Sequence, residues 1–194
     1  MNWYTADIHL NSYNALKKSK RPFANVEEMN KTLINNINEL VDKDDVLYIV
    51  GDVCSGMHYS IPEIKSIRCH KVLVIGNHDE MSLQYGSFCR CFDDIEDNMF
   101  VHDGEYEIFL SHYPHADWKG ARRGVLHFYG HEHEKDCGPY VMMKCMKHAY
   151  NVGVDHNNYY PVTVNEMLKK TFDIPECVQD FMNEHVYIKD WSNV

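Results

Sequence analysis

The chain has 194 residues, with 19 lysines and arginines against 29 aspartates and glutamates and a formal net charge of -10. Its 44% hydrophobic and 25% charged residues exclude a disordered, collagen-like or coiled-coil chain and predict one folded domain over residues 1–194. The acidic excess argues against a broad grip on long nucleic acid, and no apolar run approaches the ~18 residues of a membrane helix.

Trp3–Ala6 reads as a short strand. Lys17–Arg21 is a basic stretch in a long connection. Asn25–Lys43 reads as an amphipathic helix, with Val26, Met29, Leu33, Ile34, Ile37, Leu40 and Val41 on one face and Asn25 with Glu28 at its start. Val46–Val50 and Val72–Ile75 are fully apolar strands. Between them Ser60, Pro62 and Glu63 open a short helix. Asp103-Gly104 between Met99–His102 and Tyr106–Ser111 signals a hairpin. Val125–Tyr129 and Tyr150–Val154 are further strands; Thr163 with Glu166 starts a helix, and Pro175–His185 is expected to form another. Short apolar strands alternating with helices, then a β-rich half, predict an α/β (α+β) fold of packed sheets. MNWYTADIHL has no basic segment followed by an apolar one, so no secretory signal is expected. The seven cysteines are odd in number and form no C-x-x-C pair, which fits reduced thiols in a cytoplasmic protein.

The chemistry-bearing residues stand where these strands end. Asp7-Ile8-His9, Gly51-Asp52, Gly76-Asn77-His78-Asp79, Ser111-His112 and Gly130-His131-Glu132-His133 each follow an apolar run. In a packed sheet such ends converge on one edge, where ligands bind. Asp, Asn and His are oxygen and nitrogen donors suited to Mn, Fe, Zn or similar ions rather than Ca. In an extended segment residues two apart share a side, so Asp7 with His9, and His131 with His133, can present paired ligands. Seven candidates exceed one tetrahedral site; two metals sharing a carboxylate would use them all.

In this order the motifs D-I-H, G-D, G-N-H-D, S-H and G-H-E-H, spanning residues 7 to 133, resemble those of the calcineurin-like metallophosphoesterases. Arg21-Pro22-Phe23 and Asn151–Asp155 are similar to segments of the short bacterial and phage members. The resemblance implies a four-layer αββα sandwich, two mixed sheets flanked by helices, with two divalent transition-metal ions (Mn, Fe, Zn or Ni). It implies a first metal on Asp7, His9, Asp52 and His133 and a second on Asp52, Asn77, His112 and His131, with Asp52 bridging. His78 would act beside the metals without binding them, and Asp79 would orient His78. The extended motif of the protein Ser/Thr phosphatases is absent, since Val53-Cys54-Ser55-Gly56 follows Asp52.

The expected function is hydrolysis of a phosphomonoester or phosphodiester by a metal-bridging hydroxide attacking phosphorus. Asn77 and His78 would stabilise the phosphoryl oxygens, and His78 is a candidate proton donor to the leaving group. A small phosphate ester or nucleotide is the expected substrate, with no membrane partner. Arg21, Arg122 and Arg123 are candidates to hold its phosphate in a guanidinium fork, Arg21 foremost. His115 and His127 lie near the motifs without matching a ligand position, and His156, just after Asn151–Asp155, is a candidate to face the cleft. Met142, Met143 and Met146 read as core filler, and Asp93–Asp97 as a solvated turn. A nuclease of the same fold and a non-catalytic protein-binding scaffold are the alternatives; intact ligands and His78 argue against the scaffold.

Overall fold

A computed structural model describes residues 1–54, 60–133 and 138–170. The expected helix over Pro175–His185 lies outside the described residues. Four parallel strands form the first sheet in the order β1 (Asn2–Thr5), β2 (Val46–Val50), β3 (His70–Val74) and β4 (Asp94–Glu96). The second sheet is β5 (Asn98–Asp103), β6 (Tyr106–Ser111), β7 (Leu126–Tyr129) and β8 (Ala149–Asn151); β5 runs antiparallel to β6 and the rest are parallel. Among the described residues six α-helices accompany them: α1 (Tyr13–Lys18), α2 (Val26–Leu40), α3 (Ile61–Ser66), α4 (Gly86–Cys89), α5 (Gly138–Lys144) and α6 (Val164–Leu168). The fold is thus mixed α/β, consistent with a sandwich.

The layering follows from the two-residue period of the strands. Trp3, Leu47, Ile49 and Leu73 face one way and pack with Met29, Leu33 and Ile37 of α2. Tyr4, Val50 and Val74 face the other way, onto Ile108, Leu110, Leu126 and Phe128 of the second sheet. The far face of that sheet, with Phe109 and Tyr129, is covered by Trp118 and by Met143 of α5. Each fully buried side chain of the α2 face contributes roughly 1.5–3 kcal/mol. Strands buried on both faces read as unbroken apolar runs, which is why VLYIV and the run at Val72 were legible.

Helix starts obey their local signals. Asn25 Oδ1 accepts from Glu28 N–H at 2.8 Å, and Thr163 with Glu166 forms a capping box. Leu40, expected on the buried face of α2, is exposed, because the helix ends there and the chain turns away. Asp94–Glu96, expected as a solvated turn, form the short edge strand β4 beside Val72–Val74. Charged side chains on a three-residue edge hide the strand from pattern reading while protecting the edge. Met143 is core, whereas Met142 is exposed. Of the cysteines, Cys54, Cys69 and Cys91 are buried, and Cys89 and Cys145 are half-buried. Among the described residues no helix is long and apolar enough to cross a membrane.

Candidate metal centre

The loops leaving β1, β2, β6 and β7 are laced together by main-chain hydrogen bonds. Asp7 N–H donates to Gly51 O (3.0 Å), His9 N–H to Asp52 O (2.9 Å) and Gly130 N–H to His112 O (3.0 Å). Such close lacing needs glycine at two points. A Cβ on Gly51, whose φ is +86°, would stand 2.2 Å from His112 Nδ1; one on Gly130 would stand 2.7 Å from Asp7 Oδ2. The paired presentation of Asp7 and His9 does not come from extended backbone, as the spacing suggested. Both are left-handed, with φ of 57° and 52°, and so are Asp52 (58°) and His131 (70°). Each left-handed residue costs on the order of 1–2 kcal/mol, a strain that clusters at functional sites.

All seven expected ligands are brought together. His9 Nε2 faces His133 Nε2 at 3.2 Å, and His133 Nε2 lies 3.7 Å from Asp7 Oδ1. Asn77 Oδ1 lies 3.1 Å from both His112 Nε2 and His131 Nδ1, and those two nitrogens are 3.3 Å apart. Between the two groups sits Asp52 Oδ2, 3.4 Å from His9 Nε2 and 3.5 Å from His112 Nε2. Among the described residues, three sets of Asp and His could hold a metal ion: Asp7, His9 and His133; His9, Asp52 and His78; and Asp7, Asp52 and His112. The second includes His78, an exposed residue whose ring meets that of His9 edge-on at 5.0 Å.

The donor set fits cations for a reason beyond proximity. His112 Nδ1 is 3.0 Å from Val50 O, which only accepts, so Nδ1 donates and a neutral ring turns its Nε2 lone pair toward Asn77 Oδ1 and Asp52 Oδ2. His133 Nδ1 faces Asp155 Oδ2 at 2.6 Å, and its Nε2 points toward His9 and Asp7. Burial lowers its pKa, but Asp155 and Asp7 outweigh that and raise it, so the ring holds its proton until a cation at Nε2 displaces it. Around His112 the lone pairs of Nε2, Asn77 Oδ1 and Asp52 Oδ2 therefore converge on one another, an arrangement that positive charge resolves. Burial, with His133, Arg21 and His78 nearby, holds His9 down at about 2, and burial lowers His112, so both rings are neutral as ligation requires. Burial also pushes Asp7 up to about 7; an anion there calls for a compensating cation.

Two site residues play other parts than the sequence suggested. Asp79 does not orient His78. Its buried carboxylate accepts from the main-chain N–H groups of Asp52 (2.7 Å), Val53 (3.0 Å) and Gly76 (3.0 Å), clamping the loop after β2 to the loop after β3. Burial raises its pKa to about 7 against those three donors. His78 is held instead through its own N–H, which donates to Asp52 Oδ1 at 2.8 Å. Arg21, expected to hold a substrate phosphate, has a side chain 0% exposed. Nε and Nη2 fork onto Asp155 at 2.8 Å each, while Nη2 and Nη1 also donate to Asp7 O (2.7 Å) and Ile8 O (3.0 Å). Its donors are spent on the protein. Arg122 and Arg123 lie on an exposed single turn and do not line the cavity at the site.

Asp155 is the residue that sequence reasoning missed. It lies in a single helical turn, Val154–His156, just past β8, and joins Arg21 to His133. The same strand-end logic that found the other groups, applied to Asn151–Asp155, was its available signal. Burial pushes Asp155 upward, but hydrogen bonds from His133 and Arg21 outweigh it and hold it at about 2. Its folded pKa lies below the ordinary 3.8, so its contribution is complete above about pH 4 and is lost as pH falls through about 2. Arg21→Ala is expected to cost about 3–5 kcal/mol in urea unfolding, because it leaves the buried Asp155 carboxylate with His133 as its remaining partner and frees the Asp7 and Ile8 carbonyls. A variant of wild-type stability with a raised KM would return Arg21 to a substrate role.

His127 is buried, packed against Phe109 and bonded to its carbonyl, and His115 reaches Ser111; neither lines the cavity. That cavity, of about 340 Å³, has His9, His78, His131 and His133 on one side and Asn14 and Lys18 of α1 on the other.

No protein-family model matches the chain. It is 31% identical over 167 residues to an uncharacterized protein of Methanocaldococcus jannaschii, MJ1445, an alignment covering 84% of this chain and 87% of the archaeal one. It is 24% identical over 182 residues to the Gene 66 protein of Mycobacterium phage L5, covering 79% and 86%. A solved structure, the protein of unknown function AQ665 from Aquifex aeolicus, superimposes with a TM-score of 0.70 at 22% identity, covering 87% of this chain and 98% of its own. At that identity the likeness is one of fold alone.

Proposed function

We propose, for a chain that belongs to the same family as the archaeal protein MJ1445, a metal-dependent phosphoesterase activity of the calcineurin-like type. The observation that carries the reading is the position of Asp52 Oδ2, within 3.5 Å of a ring nitrogen from each of two lone-pair clusters. Asp7, His9, His133 and Asp52 would hold one divalent ion, and Asn77, His112, His131 and Asp52 a second. When bound, two such ions supply Lewis acidity toward a phosphoryl oxygen and a more acidic water.

The chain's own residues do the rest. Arg21 and Asp155 fix the His133 tautomer, and Val50 O fixes that of His112. Asp79 holds the loop carrying Asn77 and His78 against the loop carrying Asp52. His78, exposed on the cavity, is placed to hydrogen-bond a phosphoryl oxygen or to give a proton to the leaving oxygen. Lys18, the formal cation among the described residues lining the cavity, replaces Arg21 as the candidate to hold the anionic end of a substrate.

The test is metal content together with turnover. Protein reconstituted with Mn is expected to hold about two ions per chain, to hydrolyse p-nitrophenyl phosphate or its bis-ester, and to stop on chelation. Only trace metal after reconstitution, or two ions with no turnover of either ester, would sink the enzymatic reading; the second outcome favours a scaffold. Lys18→Ala is expected to raise KM by about tenfold or more while kcat and metal content hold, since a charge-assisted hydrogen bond contributes ~1.5–3 kcal/mol. Unchanged KM on both esters removes Lys18 from the site.

A further inference from the structure

We propose that a second, anion-binding site lies at the opposite edge of the first sheet and takes a small ligand carrying two or more phosphoryl groups. A cavity of about 300 Å³ there is lined by Lys43, Lys65, Arg68, Lys71 and Arg90, with Asp93 as the carboxylate among them. These residues surround the start of β3, whereas Asn77 of the proposed metal centre follows its end. From His70 to Asn77 is seven residues of strand and exit, roughly 20 Å at ~3.3 Å per residue. The two sites are therefore separate.

Five cations in one cavity are out of keeping with a chain in which acids outnumber bases 29 to 19. They come from separate parts of the chain: the end of α2's connection, α3 and the residues after it, β3, and the turn after α4. Their fields meet: Lys65, Lys71 and Arg90 all act to lower the Cys91 thiol, against its burial. Two are held in place by the fold. Lys71 Nζ donates to Ile67 O and Cys69 O at 2.9 Å each, and Arg68 Nη2 donates to Asn38 O at 3.1 Å. Asp93 is partly engaged, since it accepts from Lys71 N–H at 2.9 Å and pairs with His70 at 3.3 Å. Lys43 approaches Asp44 at 4.0 Å, but both side chains are more than three-quarters exposed, so that pair neutralises little.

Like charges gathered at one cavity repel unless a counter-anion is present. Five cations against Asp93 leave a formal charge of four to be met, more than one phosphate dianion supplies. A chain of two or three phosphoryl groups supplies about that charge, and guanidinium groups hold phosphate through paired donors. The openness of the rim, where Lys65, Arg68 and Arg90 are exposed, lets such a ligand enter without rearrangement.

Tripolyphosphate is the probe, titrated calorimetrically into chelator-treated protein at neutral pH and low salt, so that metal ions in the other site cannot recruit it. Binding near one equivalent is expected, weakening steeply as salt rises. The double variant Lys65→Ser/Arg90→Ser, which removes two exposed cations, is expected to keep its melting temperature and its turnover of p-nitrophenyl phosphate while losing at least tenfold in affinity. Lys43→Ser, at the rim, should lose less. No binding by metal-free protein, binding that appears only when Mn is added, or a double variant that binds like wild type would overturn the proposal. Sulfate binding as tightly as tripolyphosphate would refute the multiply charged ligand. None of the binding outcomes depends on whether the metal centre hydrolyses esters.

Discussion

Asp52→Asn is expected to release both metals and abolish hydrolysis, whereas Asp7→Asn should weaken one site and leave residual activity. The difference lies in what each carboxylate reaches. Asp52 Oδ2 stands between His9 Nε2 and His112 Nε2, so an amide removes negative charge from both clusters at once. Asp7 lies 3.7 Å from His133 and accepts the N–H of His131 with both oxygens at about 3 Å; it also shares a possible metal set with Asp52 and His112, but without a contact to His112 as short as that of Asp52. Removing a group that merely orients a ligand typically costs ~10–100-fold in metal affinity. The loss of a shared ligand should exceed the top of that range. Metal stoichiometry of the two variants after identical reconstitution decides the matter; two ions retained in Asp52→Asn would refute the bridging assignment.

His78→Ala is expected to keep the fold and both metals and to lose about 10²–10⁴-fold in kcat, the usual worth of a positioned acid–base group. The imidazole is exposed on the cavity and anchored by its main-chain N–H to Asp52, so its removal opens no core void. The loss should be smaller for p-nitrophenyl phosphate than for an alkyl ester, whose leaving oxygen needs the proton more. Equal losses on the two esters would make His78 a stabiliser of phosphoryl charge rather than a proton donor. Because one Asp–His set open to a metal includes His78, its alanine variant also needs a metal count; a lost ion would make it a ligand. Asp79→Ala, by contrast, should destabilise the protein, since it orphans three buried main-chain N–H groups.

The convergence of the candidate metal-centre residues was legible in sequence because each stands at the end of a strand whose apolar run is itself legible. Parallel strands in register place their ends along one edge, so Asp7, Asp52 and Asn77 could be gathered without coordinates. The way the pairs are presented was not legible. Alternation suggested extended backbone at Asp7 and His9, whereas both are left-handed. Asp and His tolerate that conformation better than most residues, but the lacing of the first loop along the second imposes it.

Arg21 and Asp79 mark the boundary more sharply. Residue chemistry offered Arg21 to a substrate phosphate, and the family resemblance paired Asp79 with the adjacent His78. The partners lie elsewhere: Arg21 meets Asp155, 134 positions on, and Asp79 meets the main chain of Asp52 and Val53, 27 and 26 positions back. By itself the sequence determined the apolar runs, the helix caps and which donor atoms stand at the strand ends, since these depend on local period and residue chemistry. Only the tertiary structure decided which buried groups satisfy one another. A buried guanidinium or carboxylate must find its partners wherever the packed chain brings them, and no local pattern records that distance.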